Sequence, residues 1–266
     1  MTQEVFKLKQ GSIPLLISMP HLGTGLPDDI RAMLNPVGHE VDDTDWHLDR
    51  LYDFAVGMGA SMLRPTYSRY VIDLNRPADG KSLYPGQNTT GLCPLTTFDN
   101  VPLYLDGKEP DAAETARRLP LYWQPYHDAL RAELDRIKAQ HGYALLWEAH
   151  SIRSVIPHLF EGELPVFNFG SVDGASCAPG TAEALLALAQ KMSPELPAVL
   201  NGRFKGGFIT RNYGKPEQNV YAIQLELGQR SYMEEQRPYA LDETLSARLK
   251  PTLEQLIRTF VAFKPS

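Results

Sequence analysis

Six apolar runs of strand length, at 13–19, 61–64, 69–74, 143–149, 164–169 and 220–227, punctuate this chain, with helix-period stretches between several of them. Apolar runs of this kind read as strands buried on both faces of a sheet. Residues 43–58 open on Asp43 or Thr44 as N-cap and place Trp46, Leu48, Leu51, Tyr52 and Ala55 at helical spacing. Residues 121–140 carry Trp123, Tyr126, Leu130, Leu134 and Ile137 on one stripe and stop at His141-Gly142. Residues 179–192 and 241–263 look similar. Strand–helix alternation predicts an α/β fold, a three-layer α/β/α sandwich around a mostly parallel or mixed sheet. No repeat or linker divides the 266 residues, so residues 1–266 read as one domain. The segment 78–110, rich in Pro, Gly, Asp and Asn, reads as a long irregular connection, of the kind that covers functional sites.

A net charge of −6 argues against general nucleic-acid binding, which needs a basic face. It leaves room for a small anionic substrate, because a local arginine cluster can dominate the field inside a cleft. The first residues lack the apolar core of a signal peptide, and no run approaches a membrane span. Cys93 and Cys177 are far apart and lack metal-ligand spacing. The expectation is a reduced, cytoplasmic protein.

Two of the apolar runs deliver a histidine at or just past their end, in Met19-Pro20-His21 and Ala149-His150-Ser151. Either alone is more often a hydrogen-bonded structural residue than a ligand. In open α/β sheets, however, ligands bind in the crevice beyond the carboxyl ends of the strands. An acidic cluster follows His21, in Asp42-Asp43-Thr44-Asp45-Trp46-His47-Leu48-Asp49. Capping of a helix N-terminus accounts for Asp43 and one neighbour, but four acids in eight positions exceed that need. A carboxylate from this cluster, with His21 and His150, makes a His/carboxylate/His set that leaves one coordination position open, as catalytic zinc sites do. Asp45 is the preferred third ligand, with Asp43 and His47 as alternatives. The same ligand types also suit non-haem iron.

Such a site needs a general base. In 220–227 the odd positions 221, 223, 225 and 227 are apolar, which puts Glu226 on the other face with Gln224 and Ala222. On an edge strand Glu226 is a solvated surface residue; on a central strand it must be paired or poised for proton transfer. Alternation in 68–76 turns Arg69, Val71, Asp73 and Asn75 to one side, with Arg76 at the end. Arg153 follows His150 by three residues, and Arg211 lies in a glycine-containing segment after Gly206-Gly207. Guanidinium groups near a metal suit bidentate capture of carboxylates, although each taken singly is more often a structural ion pair. The glycines at 202, 206 and 207 lack a phosphate-loop pattern and read as a mobile turn beside the site. No nucleophile elbow, P-loop or dinucleotide fingerprint is present.

Several blocks together resemble the N-formylglutamate amidohydrolase (N-formylglutamate deformylase) family: Ser18-Met19-Pro20-His21-Leu22-Gly23, Asp43-Thr44-Asp45-Trp46-His47, Ser68-Arg69-Tyr70-Val71-Ile72-Asp73-Leu74-Asn75-Arg76 and Leu83-Tyr84-Pro85-Gly86-Gln87. Glu148-Ala149-His150-Ser151-Ile152-Arg153, Asn201-Gly202-Arg203-Phe204-Lys205-Gly206-Gly207 and Gln224-Leu225-Glu226-Leu227 complete the set in the family's order. The resemblance implies a zinc carboxypeptidase/phosphorylase-hydrolase-like fold, similar also to aspartoacylase, and a single zinc. It implies hydrolysis of N-formyl-L-glutamate, a small dicarboxylate, to formate and L-glutamate, the last step of one histidine-degradation route. His21 and His150 match the family's ligand histidines. In related sites the acidic ligand follows the first histidine closely, whereas here the acidic block lies further on, at Asp43–Asp45. Glu226 resembles the base glutamate, Asn75-Arg76 the pair that holds a substrate carboxylate, and Tyr213 would correspond to a mobile tyrosine. The alternatives are a related metal-dependent N-acyl-amino-acid or peptidoglycan-type amidohydrolase, and a metal-free binding protein for a dicarboxylate.

Overall fold

A computed structural model describes residues 4–83, 86 and 89–263. Tyr84, Pro85 and Gln87, part of one block quoted above, lie outside the described residues. The chain opens with β1 (Phe6–Lys9) and β2 (Leu15–Ser18), then short helices α1 (Asp28–Arg31), α2 (Pro36–His39), α3 (Leu48–Leu51) and α4 (Asp53–Met58) lead to β3 (Ser61–Pro65). A long irregular stretch ends at α5 (Ala112–Arg118), which runs through a π-helical turn (Leu119–Trp123) into α6 (Gln124–His141). Then come β4 (Ala144–Ile152), β5 (Phe167–Gly170), α7 (Thr181–Met192), β6 (Ala198–Leu200), α8 (Phe208–Tyr213), β7 (Val220–Gly228) and α9 (Glu243–Ala262).

Among the described residues the strands form a seven-stranded sheet in the order β1-β3-β2-β4-β7-β5-β6. The inner run β3-β2-β4-β7 is parallel, whereas β1 and β5 join it antiparallel, so the sheet is mixed. Every residue of β4 and β7 is buried, as two-sided coverage requires. Side chains alternate between the faces. Leu145, Trp147, Ile223 and Leu225 pack in one cluster with α7 and α9, while Ala144, Leu146, Val220 and Ala222 pack in another with α6 and α8. Those two clusters make the three layers. Each leucine removed from water in this way contributes about 1.5–3 kcal/mol.

Local chemistry sets the helix ends. Asp242 caps α9 by accepting from the Thr244 and Leu245 N–H groups at 2.8 and 2.9 Å. Gly142 ends α6 in a left-handed conformation (φ 84°), returning its N–H to Lys138 O at 2.8 Å.

Two expectations need correction, and two strands went unpredicted. The run 69–74 is not a strand: its backbone groups serve turns and side chains, as when Val71 N–H bonds Ser68 O and Val71 O accepts from Arg118 Nη1. All six residues are buried, but without a strand backbone their side chains do not alternate between two faces. The stretch 43–58 is helical only from Leu48, and its N-cap is His47 in a left-handed conformation (φ 62°), not Asp43 or Thr44. The edge strands β1 and β6 lack the continuous apolar signature because edge strands are half-solvated.

Candidate active site

The α6 face of the sheet is apolar at its amino end and polar at its carboxyl end. Going along β4, residues 144 and 146 on that face are followed by Glu148 and His150; along β7, residues 220 and 222 are followed by Gln224 and Glu226. Parallel pairing sets Glu148 opposite Gln224 and His150 opposite Glu226. β7 lies between β4 and β5, so Glu226 is on a central strand and not on a solvated edge.

His21 reaches the same place from the turn after β2, where Leu22 N–H bonds Met19 O. Gly23 lets that turn press on the next loop: a Cβ there would stand 2.3 Å from Tyr67 O. The acidic loop is held against the histidine turn by Asp45 N–H donating to His21 O at 3.1 Å. As a result His21, Asp45 and His150, all buried, bring one donor atom each to within 4.8 Å of one another. Asp45 Oδ2 lies 2.9 Å from His150 Nδ1 and 3.6 Å from His21 Nδ1. The alternatives to Asp45 point elsewhere. Asp43 Oδ2 accepts from Phe98 N–H at 2.9 Å, and His47 Nε2 lies 2.7 Å from Tyr239 O.

Each histidine turns its second nitrogen to a buried carboxylate. His21 Nε2 lies 2.8 Å from Asp73 Oδ1, and His150 Nε2 lies 2.7 Å from Glu148 Oε1. With the carboxylates accepting from Nε2–H, each ring turns its Nδ1 toward Asp45, the orientation that outer carboxylates give metal-ligating histidines. Asp73 is itself anchored, accepting from Arg69 Nη2 at 2.6 Å and from Asn75 N–H at 2.8 Å.

The electrostatics call for a cation. Asp45, Asp73, Glu148 and Glu226 are all buried around two imidazoles, with one buried guanidinium, Arg69, beside them. Buried charge must be paired or must coordinate a metal. Burial works to raise the Asp73 carboxyl, but the charges of Arg69 and His21 overcome it and hold it well below its usual range. Burial likewise works to raise Asp45, and hydrogen bonds from His150 and His21 bring it down. Burial would lower His150, yet the Glu148 charge and the bond to Asp45 raise it well above an ordinary imidazole. The protein alone thus satisfies its excess of carboxylates by protonating His150, and a cation at the centre would take the place of that proton. Two nitrogens, one carboxylate oxygen and their ordered second partners fit a single divalent ion with a position left open.

Glu226 stands apart from these ion pairs. Burial, together with the neighbouring carboxylate charge of Asp45, outweighs the attraction of His150 and pushes its carboxyl up to about 8. It borders an open cleft, as do His21 and His150.

Of the predicted substrate-binding residues, Arg69, Asn75 and Arg76 line this cleft. Arg76 is fixed by neutral acceptors, its Nε and Nη2 bonding Thr90 O and Oγ1 and its Nη1 bonding Asn75 O. The described lining leaves out Arg153, Arg211 and Tyr213. Arg153 pairs with Asp99 at 2.6 Å, and Arg211 Nε donates to Gly206 O at 2.8 Å. Tyr213 is buried, its ring stacked on His127 and its hydroxyl 2.9 Å from His127 Nδ1. For Arg153 and Arg211 the expectation rests on nearness in sequence to strand ends, and for Tyr213 on the family resemblance. The irregular segment does border the site, contributing Thr89, Thr90 and Phe98.

Several residues at the site lie outside the sequence reading. Glu148 is two positions before His150, and the period of two that pairs Glu226 with Gln224 places it on the same face. Asp73, Thr210 and His127 bond to residues of the site, and the sequence reading assigns none of them a role. Arg203 lines the cleft from the 201–207 loop, which passes so close to Asn75 that a Cβ on Gly207 would lie 2.2 Å from Asn75 Nδ2.

Among the described residues no helix is long and apolar enough to cross a membrane. The chain is 52% identical over 263 residues to N-formylglutamate deformylase of Pseudomonas aeruginosa, covering 98% of this chain and 97% of that protein. It is 51% identical over 260 residues to N-formylglutamate deformylase of Pseudomonas putida, with the same coverage of both. The crystal structure of N-formylglutamate amidohydrolase from Ralstonia eutropha JMP134 superposes with a TM-score of 0.77 at 26% identity, covering 96% of this chain and 98% of that one. The sequence profile of the N-formylglutamate amidohydrolase family matches residues 13–233, the span that contains both histidines, Asp45 and Glu226, and the chain belongs to that family.

Proposed function

We propose that this protein hydrolyses the formamide bond of N-formyl-L-glutamate, releasing formate and L-glutamate, in a zinc-dependent reaction that closes a histidine-degradation route in the cytoplasm. The names of its full-length relatives support the substrate. The observation that carries the chemistry is the convergence of His21, Asp45 and His150 beside Glu226 at the floor of one cleft.

A zinc ion held by His21 Nδ1, Asp45 Oδ2 and His150 Nδ1 would polarise the formyl carbonyl and acidify water. Glu226 takes a proton from the water that attacks the formyl carbon and passes it to the departing nitrogen of glutamate. Its place at the cleft, paired in register with His150, puts it within reach of both halves of that transfer. Arg69, locked by Asp73 at the cleft wall, faces the developing oxyanion. A well-placed donor of this kind lowers the barrier by about 3–4 kcal/mol. Asn75 and Arg76 receive a substrate carboxylate, and Arg203 adds a further guanidinium to the cleft lining. Phe98, Leu159 and Phe204 supply an apolar wall for the glutamate methylenes.

The test is formate or acetate release from N-formylglutamate, N-formylglycine and N-acetylglutamate under one set of conditions. N-formylglutamate is expected to lead in kcat/KM by at least about a hundredfold, roughly 2.7 kcal/mol of transition-state binding. Equal turnover of N-acetylglutamate would move the assignment to a broader N-acyl-amino-acid hydrolase.

A further inference from the structure

The six-residue helix α8 begins at Gly207, which has no side chain with which to cap it. Three side chains of the active-site floor take its leading N–H groups instead. Gly207 N–H donates to Gln224 Oε1 at 2.6 Å, Ile209 N–H to Asn75 Oδ1 at 2.9 Å, and Thr210 N–H to Glu148 Oε2 at 2.9 Å. The Thr210 hydroxyl donates to the same Glu148 oxygen. The other Glu148 oxygen accepts from His150 Nε2 at 2.7 Å. One fully buried carboxylate therefore joins the start of α8 to a ring whose opposite nitrogen faces Asp45.

The loop that runs into α8 carries Arg203, Phe204 and Gly207 to the cleft. It is closely seated: Gly206 is in a conformation (φ 118°) that favours glycine, and Gly207 abuts Asn75. Neither Glu148 nor Thr210 is among the described residues lining the cleft; they reach it through His150 and α8. Their geometry transmits position. A ligand that fixes the His150 ring plane fixes Glu148, and Glu148 sets where α8 starts and hence where the 201–207 loop lies.

We propose that Glu148 and Thr210 are positioning residues that couple metal occupancy at His150 to the seating of the substrate-binding loop. This rests on the reading of His21, Asp45 and His150 as metal ligands. Coupling is reciprocal, so whatever metal occupancy adds to substrate affinity, bound substrate adds to metal affinity. Outer partners of ligating histidines typically change metal affinity by about 10- to 100-fold when lost.

The experiment titrates zinc alone into the metal-free full-length protein against a chromophoric chelator, for wild type, Thr210→Val, Thr210→Ser and Glu148→Gln. KM for N-formylglutamate is then measured at saturating zinc. Thr210→Val keeps the shape and the backbone N–H but deletes the hydroxyl. It is expected to weaken zinc binding by about tenfold or more and to raise KM several-fold, while Thr210→Ser stays within about threefold of wild type in both. Glu148→Gln, with a melting curve to show that it folds, is expected to follow Thr210→Val. Wild-type zinc affinity in Thr210→Val overturns the link and leaves the metal site standing, as does a Thr210→Ser variant as weak as Thr210→Val. A wild-type chain that holds no zinc overturns the metal reading and this proposal together.

Discussion

His150 on β4 and Glu226 on β7 are direct register partners on neighbouring parallel strands, and both face the α6 side of the sheet. The residue read as a metal ligand and the residue read as proton carrier are thus held by the same ladder of backbone hydrogen bonds. Sites built on strands keep their geometry better than sites built on loops. The other two candidate ligands, His21 and Asp45, do come from loops, and they are tied together by the Asp45 N–H to His21 O bond. The site combines a rigid floor with a stapled rim.

Glu226→Gln separates proton transfer from metal binding. Turnover should fall by about 10²- to 10⁴-fold while zinc remains bound. A second effect follows from burial. The folded carboxyl titrates at about 8, above its usual value of 4.5, so in the metal-free protein this group favours the folded state below pH 4.5 and loses that contribution as pH rises to 8. Glutamine has no charge to bury, so metal-free Glu226→Gln should melt a few °C higher than metal-free wild type at pH 8. A lower melting temperature would contradict the burial argument.

Arg76 and Arg153 make opposite predictions although both are arginines near strand ends. Arg76 lines the cleft, and its Nη groups retain further N–H donors beyond those spent on Thr90 and Asn75. Arg76→Ala should raise KM for N-formylglutamate by about tenfold or more, the worth of a charge-assisted hydrogen bond. Arg153 instead pairs with Asp99 away from the described cleft lining. Arg153→Ala should change kcat/KM by less than about twofold, in keeping with the small worth of surface ion pairs. Steady-state kinetics of the two variants side by side decide the matter.

His127 gives the fold an acid sensitivity of its own. Its Nε2–H meets Leu74 O at 2.9 Å, directly before Asn75-Arg76, and its Nδ1 accepts from Tyr213. Burial is the main cause that pushes it down to about 4 from the ordinary 6.5. Between pH 6.5 and 4 the unfolded chain therefore binds a proton that the folded chain refuses. Stability from this group is intact above pH 6.5 and falls by about 1.4 kcal/mol per pH unit through that window, about 3 kcal/mol in all. His127→Phe, which retains an aromatic ring but cannot protonate, should show a shallower loss of stability across the window in urea unfolding. An unchanged slope would remove His127 as the cause.

The sequence makes some of this legible and hides the rest for physical reasons. Continuous apolar runs identify β2, β4 and β7 because those strands are buried on both faces, and a histidine or carboxylate at their carboxyl ends has few other reasons to be there. The run 69–74 has the same composition but forms buried coil, because Arg118 and local turns satisfy its backbone where a sheet neighbour would have done so. Apolar content reports burial, and only hydrogen-bond partners distinguish a strand from a packed loop. Asp45 could be placed within a cluster of acids but not selected from it, since the selection is made by a tertiary bond to His21 O. Arg153, Arg211 and Tyr213 were adjacent to the right segments, yet side-chain direction in loops and short helices has no fixed period. Glu148 was readable from strand alternation alone, whereas Thr210 and Asp73 matter only through what they hold.

The most direct test of the account is formate release from N-formylglutamate by protein stripped of metal with a chelator and then resupplied with zinc. Activity should vanish on stripping, return with about one zinc per chain, and fail to return in His21→Ala or His150→Ala. Full activity in the stripped protein, or full zinc occupancy in either variant, would contradict it.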